Sequence, residues 1–162
     1  MDIRTLEPQV LSLAEALRRR GWRIATAESC TGGLIAAACT QVAGSSDWFE
    51  RGFVTYSNAA KTQLLGVDAA LIEAQGAVSE AVAQAMAQGA LQRAPVNLAV
   101  AVTGIAGPGG AVPGKPVGTV WLAWGTADGV QTELLQLAGD REAVRHASVR
   151  AALQRLTEAA RP

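Results

Sequence analysis

Several chemically useful residue types are nearly missing from this 162-residue chain: it has two lysines, one histidine, one tyrosine and two cysteines. Aromatic residues make up only 4% of it. Cys30 and Cys39 are nine apart, a spacing that suits neither a metal knuckle nor a disulfide framework, so a reducing cytoplasm is the expected compartment. No apolar run approaches the ~20 residues of a membrane span, the longest reaching only from Leu34 to Cys39. The opening Met1-Asp2-Ile3-Arg4 does not read as the charged-then-apolar pattern of a signal peptide, so none is expected. Charge of either sign is scarce: 17% of residues are charged, against a usual ~25%, and 14 basic residues balance 14 acidic ones. Without a basic excess, nucleic acid is not an expected partner. What is abundant is alanine, 33 residues of a 49% hydrophobic content. That composition describes small-residue helices packed closely on a sheet, in a single domain over residues 1–162.

Punctuation along the chain gives the element order. Leu6, Val10, Leu13 and Leu17 recur at helical spacing until Gly21. A strand at 22–27, a helix at 34–42, a strand at 52–56 and a helix at 58–65 follow. Asp68 and Ser79 read as N-caps, the second opening a long alanine-rich helix at 80–93. Asn97 to Thr103 reads as a doubly buried strand, and a glycine- and proline-rich loop fills 104–118. Strands at 119–126 and 130–137 flank Asp128-Gly129, a hairpin signal, and Asp140 caps a last helix to about Glu158. The order α-β-α-β-α-α-α-β-β-β-α predicts an α/β fold with helices on both faces of a mixed sheet.

Glycines crowd two places, Gly32-Gly33 after the first strand and Gly104 to Gly118 after the third. In open α/β sheets ligands bind beyond the carboxyl ends of strands, so these loops mark a candidate anion site. The GxxxxGK frame from Gly109 to Lys115 is set aside, because Pro116 stands where a magnesium-holding Ser or Thr is needed and a strand follows instead of a helix. Ser29, between a strand and a helix start, is a candidate nucleophile, with adjacent Cys30 as the alternative; helix capping by Ser29 or Thr31 is the structural reading. A serine needs a base. His146 lies inside the last helix, well past its capped end. Lys61 opens the helix after the second strand and is expected at the same rim as Ser29, where desolvation would keep its amine neutral. Tyr56 ends that strand. Arg141 and Arg145 share a core-facing side of the last helix, where each must meet carboxylate, phosphate or backbone oxygens, either in structural ion pairing with acidic groups or as a phosphate clamp.

Thr26-Ala27-Glu28-Ser29-Cys30-Thr31-Gly32-Gly33 and Phe49 to Lys61 closely resemble the CinA C-terminal domain family. Gly44-Ser45-Ser46, Gly76-Ala77-Val78-Ser79, Thr103 to Pro108, Lys115 to Val120 and Gly139-Asp140-Arg141 extend the match over nearly the whole chain. The resemblance implies a three-layer α/β/α sandwich around a mostly parallel sheet of about five strands with a C-terminal hairpin. It also implies a stand-alone amidase that hydrolyses nicotinamide mononucleotide to nicotinate mononucleotide and ammonia, in pyridine-nucleotide salvage. Ser29 would be the nucleophile, Lys61 the base and Tyr56 an assistant. Substrate contacts are expected from Cys30, Thr31, Gly32 and Gly33, from Ser46 and Asn58, and from Thr103, Gly104 and Gly107. Arg141 and Arg145 are expected at ribose and phosphate. No metal or cofactor is expected; the partners are a nucleotide substrate and further copies of the chain, as a homo-oligomer. A non-catalytic mononucleotide-binding module is the alternative. One departure is Gly109, where the family pattern suggests an acidic residue.

Overall fold

The computed structural model describes residues 2–162, so Met1 of the opening tetrapeptide lies outside it. The elements are α1 (Glu7–Arg20), β1 (Ile24–Glu28), α2 (Leu34–Thr40), β2 (Phe49–Val54), α3 (Asn58–Leu65), α4 (Ala69–Gln75), α5 (Glu80–Arg93), β3 (Leu98–Gly104), β4 (Thr119–Thr126), β5 (Gly129–Gln136) and α6 (Arg141–Ala160). Two 3-10 turns, Ile3–Leu6 and Ser45–Asp47, precede α1 and β2. Capping residues decide most boundaries. Gly21 and Gly66 close α1 and α3 in the left-handed conformation, while the side chains of Ser57, Asp68, Ser79 and Asp140 accept from main-chain N–H groups at four helix starts.

One five-stranded sheet runs in the order β2-β1-β3-β4-β5. β1 pairs in parallel with β2 and β3, and β4 is antiparallel to both β3 and β5, so four strands point one way and only β4 opposes them. α1, α2 and α6 pack on one face and α3, α4 and α5 on the other. The two faces differ in kind. Leu98, Val100, Val102, Val120 and Leu122 fill the α1–α6 side, whereas Ala27, Ala99, Ala101 and Ala123 meet α5. Small side chains on that face let α5 lie close to the sheet, which is where much of the alanine goes. β2 begins three residues earlier than its apolar pattern suggests. Its register is set by β1, with Phe49 opposite Ile24 and Val54 opposite Glu28, so Glu50 and Arg51 are accommodated on an edge strand.

The seating of α3 rests on one glycine. Gly89, in mid-α5, lies so near α3 that a Cβ there would meet the Leu65 carbonyl oxygen at 2.1 Å. Glycine inside a helix costs about 0.5–1 kcal/mol relative to alanine, and here it permits an approach no other residue allows. Gly89→Ala is therefore expected to destabilise the protein by ~1–3 kcal/mol, through overpacking against backbone. At this chain length each kcal/mol lowers the thermal midpoint by ~2–4 °C, which calorimetry will register.

Candidate active site

The carboxyl ends of β1, β2 and β3 meet at one rim of the sheet. Ser29 follows β1 directly and extends its ladder, its N–H donating to the Val102 carbonyl at 3.0 Å. The chain then turns sharply: Gly32 N–H donates back to the Ser29 carbonyl at 3.0 Å, and Gly32 and Gly33 take φ of +58° and +100°. Only glycine adopts that left-handed pair without strain. The turn leads into α2 and leaves Ser29 8% exposed at the rim.

Lys61 arrives from the second turn of α3, whose start is capped by Ser57 accepting from Ala60 N–H at 3.0 Å. It is only 1% exposed. Its Nζ lies 2.9 Å from Ser29 Oγ, 3.1 Å from the Thr55 carbonyl and 3.2 Å from the Tyr56 carbonyl. Burial draws its pKa below the ordinary lysine value. Thr55 joins the two halves, because its N–H donates to the Glu28 carbonyl at 2.8 Å while its own carbonyl accepts from Lys61. The adjacent Cys30 thiol is pushed up to about 11, chiefly by burial. A thiol held that high is a poor nucleophile at neutral pH, which favours Ser29 over its neighbour.

Around this pair lies a hollow of about 260 Å³. Its walls include Ser29, Cys30, Tyr56, Asn58, Thr103, Gly104, Gly107 and Arg141. Thr103 Oγ1 donates to the Ala77 carbonyl at 2.9 Å, fastening the end of β3 to the α4–α5 connection. Arg141, first residue of α6, reaches across the mouth, donating to the Gly107 carbonyl at 2.9 Å and to the Tyr56 hydroxyl at 3.0 Å. A larger cavity of about 880 Å³ adjoins through Ala106 and Arg141 and includes Arg145 in its wall.

Several expected contacts fall elsewhere. Ser46 sits at the amino end of β2, where its carbonyl accepts from Arg23, so the length of β1 separates it from Ser29. Thr31 is fully buried and donates to Glu28. Gly32 and Gly33 shape the turn without lining the hollow. Arg145 does not line the hollow: it donates to the Cys30 and Thr31 carbonyls at 3.1 and 3.4 Å. Tyr56 meets Lys61 through its main-chain carbonyl; the residue is 58% exposed, with its hydroxyl on Arg141. His146, as its position in α6 suggests, lies away from the hollow, near Thr5 Oγ1. The GxxxxGK segment forms a Val112–Lys115 bridge, with Lys115 donating to the Gln75 carbonyl.

Sequence reasoning missed Glu28, Thr55, Ala77 and Ile105 as parts of the site. Glu28 had a signal, since a carboxylate ending a fully buried strand needs donors. The others had none, because main-chain groups and small apolar walls look alike in any strand end. Gly109, the departure from the family pattern, lines the hollow, and a Cβ there would meet nothing within 4 Å.

The CinA C-terminal domain family matches the chain over residues 7–160. A nicotinamide-nucleotide amidohydrolase PncC of Pseudomonas putida is 56% identical over 146 residues, covering 90% of this chain and 91% of that protein. The protein of the same name in Escherichia coli (strain K12) is 52% identical over 145 residues, covering 89% and 88%. Among solved structures, the competence/damage inducible protein CihA from Agrobacterium tumefaciens superposes with a TM-score of 0.92 at 46% identity, over 94% of each chain. A competence-damaged protein (CinA) superfamily member from Klebsiella pneumoniae 700603 also has a TM-score of 0.92, at 40% identity, covering 99% of this chain and 98% of that one.

Proposed function

The chain belongs to the CinA C-terminal domain family, and from that premise we propose that Ser29 and Lys61 are its catalytic pair. It is a nicotinamide-nucleotide amidohydrolase, a hydrolase acting on an amide bond and so on a small nucleotide substrate. The observation that carries the catalytic assignment is the environment of Lys61 Nζ. A protonated lysine has three donors, whereas the neutral amine has two and a lone pair. Two of its three neighbours, the Thr55 and Tyr56 carbonyls, can only accept. They take both N–H groups of the neutral amine and leave the lone pair aimed at the Ser29 hydroxyl, 2.9 Å away. Burial favours that neutral form.

The chemistry follows. Ser29 Oγ attacks the carboxamide carbon of nicotinamide mononucleotide while Lys61 takes the hydroxyl proton. Negative charge gathers on the former carbonyl oxygen. Within the turn, Gly32 N–H is already spent on the Ser29 carbonyl, and Ile35 and Ala36 N–H on Glu28. The N–H group of Cys30, which lines the hollow, is the donor we assign to the oxyanion. Lys61 returns its proton to the departing nitrogen, which leaves as ammonia with an acyl-Ser29 ester behind. Water gives a proton to Lys61 and attacks that ester; Lys61 passes the proton to the departing Ser29 Oγ, which releases nicotinate mononucleotide and restores the free serine and the neutral amine. Asn58, Thr103, Gly104 and Gly107 line the substrate's seat, and Arg141 at the mouth is the guanidinium nearest an incoming phosphate.

The test is ammonia release from nicotinamide mononucleotide as a function of pH. Because neutral Lys61 is the active form and its pKa is lowered, kcat/KM is expected to rise with pH and level off below the ordinary lysine range. A flat profile, or one still climbing through that range, removes Lys61 as the base. Binding without turnover would favour a non-catalytic nucleotide module instead.

We take residues 1–162 as one amidase domain. No helix among the described residues is long and apolar enough to cross a membrane. Two free, buried cysteines suit a reducing compartment, and a cytoplasmic location belongs to the same reading. So does self-association, for which light scattering should report a mass above the 16.7 kDa of one chain.

A further inference from the structure

We infer that Glu28 is the positioning residue of the nucleophile turn, acting on Ser29 and never touching substrate. The inference rests on the reading of Ser29 as nucleophile. Glu28 is the last residue of β1, is 0% exposed and does not line the hollow. Its Oε1 accepts from Thr31 Oγ1 at 2.7 Å and from Ile35 N–H at 2.8 Å, and its Oε2 accepts from Ala36 N–H at 3.0 Å. Burying a carboxylate is costly unless donors surround it. Here those donors come from the nucleophile turn and from the first turn of α2.

The pattern of these bonds shows what the carboxylate does. Gly32 and Gly33, the most freely rotating part of the turn, separate Thr31 from Ile35 and Ala36. Glu28 spans that pair, tying both sides of it to the residue that precedes Ser29. From outside, Arg145 holds the Cys30 and Thr31 carbonyls, so the turn is gripped on two sides. Fixing the turn around Cys30 aims the N–H group that lines the hollow. Fixing the path from Glu28 to Thr31 sets the reach of Ser29 Oγ to Lys61. A displacement of about 1 Å at such a site can cost ~10²-fold in rate.

Three variants test this: Thr31→Val, Thr31→Ser and Glu28→Gln. Each is assayed for kcat and KM in ammonia release, for the rate at which phenylmethylsulfonyl fluoride labels Ser29 by intact mass, and for thermal midpoint. Thr31→Val keeps shape but removes one donor. It is expected to lower kcat and the labelling rate together by ~10–100-fold with KM little changed, and Thr31→Ser is expected to restore both. Glu28→Gln turns an amide N–H₂ toward one of the N–H donors it must accept from, so its loss is expected to be larger. Should that variant not fold, the Thr31 pair decides. A folded Thr31→Val or Glu28→Gln protein with wild-type kcat and labelling rate overturns the inference, as does a change confined to KM. Failure of the underlying reading looks different: the reagent would miss Ser29, or Ser29→Ala would still release ammonia.

Discussion

Ser29→Ala is expected to abolish ammonia release from nicotinamide mononucleotide, by at least ~10⁴-fold in kcat, while the protein stays folded. The reasoning is local. The turn is held by main-chain bonds and by Glu28, and Ser29 Oγ has only Lys61 as a partner among the described residues. Removing one small, nearly buried hydroxyl therefore takes away the attacking atom without loosening the strand or helix on either side. Substrate should still bind, because the walls from Asn58, Thr103 and Gly107 are unchanged. Calorimetric titration of the variant with nicotinamide mononucleotide, alongside the ammonia assay, separates lost chemistry from lost binding. Residual turnover within tenfold of wild type would transfer the role to another nucleophile.

Lys61→Met is expected to lower kcat by ~10²–10⁴-fold, the usual worth of a positioned general base. Lys61→Arg is expected to fail as badly, since a guanidinium stays protonated and cannot take the Ser29 proton. A charge-based role for Lys61 predicts the opposite, with arginine largely rescuing. Stability should move the other way from activity. A lysine whose folded-state pKa is lowered binds a proton more readily in the unfolded chain. Wild-type stability therefore falls as pH drops from the ordinary lysine value toward the folded one, and the penalty persists below that window. Methionine, of similar volume and uncharged, escapes it, so Lys61→Met should be at least as heat-stable as wild type at neutral pH. Thermal melts across that pH range check the sign. A variant that melts well below wild type would mean that the bonds to the Thr55 and Tyr56 carbonyls contribute more than desolvation costs.

Much of the architecture was legible before any coordinates, for identifiable reasons. Asp68, Ser79 and Asp140 can satisfy helix N–H groups wherever the rest of the chain goes, so they mark helix starts dependably. The Asp128-Gly129 turn likewise announced the β4–β5 hairpin. β2 was misplaced by about three residues because a strand is bounded by its neighbour: β1 offers groups as far as Ile24, and β2 follows it through Glu50 and Arg51. At the site, Ser29 and Lys61 were readable because each stands just beyond a strand's carboxyl end. Ser46 was assigned to the same rim by resemblance, yet it precedes its strand and lies at the other end of the sheet.

The sequence by itself therefore determined whatever depends on near neighbours: the helix caps, the glycine turn after β1, the alternating large and small faces of the inner strands. Only the tertiary structure decided which long side chains meet which partners. Arg145 carries a motif suited to phosphate, but the Cys30 and Thr31 carbonyls come within its reach first. Tyr56 contributes a carbonyl to Lys61 where its ring was expected. The physical reason is the same in each case. Main-chain oxygens are present at every residue and leave no trace in composition, so their claim on a donor becomes visible only when packing brings them near. Residues 29 and 61 stand 32 apart in the chain, and the 2.9 Å between their side chains is a product of the sheet that aligns two strand ends and of the helix that seats one amine beside them.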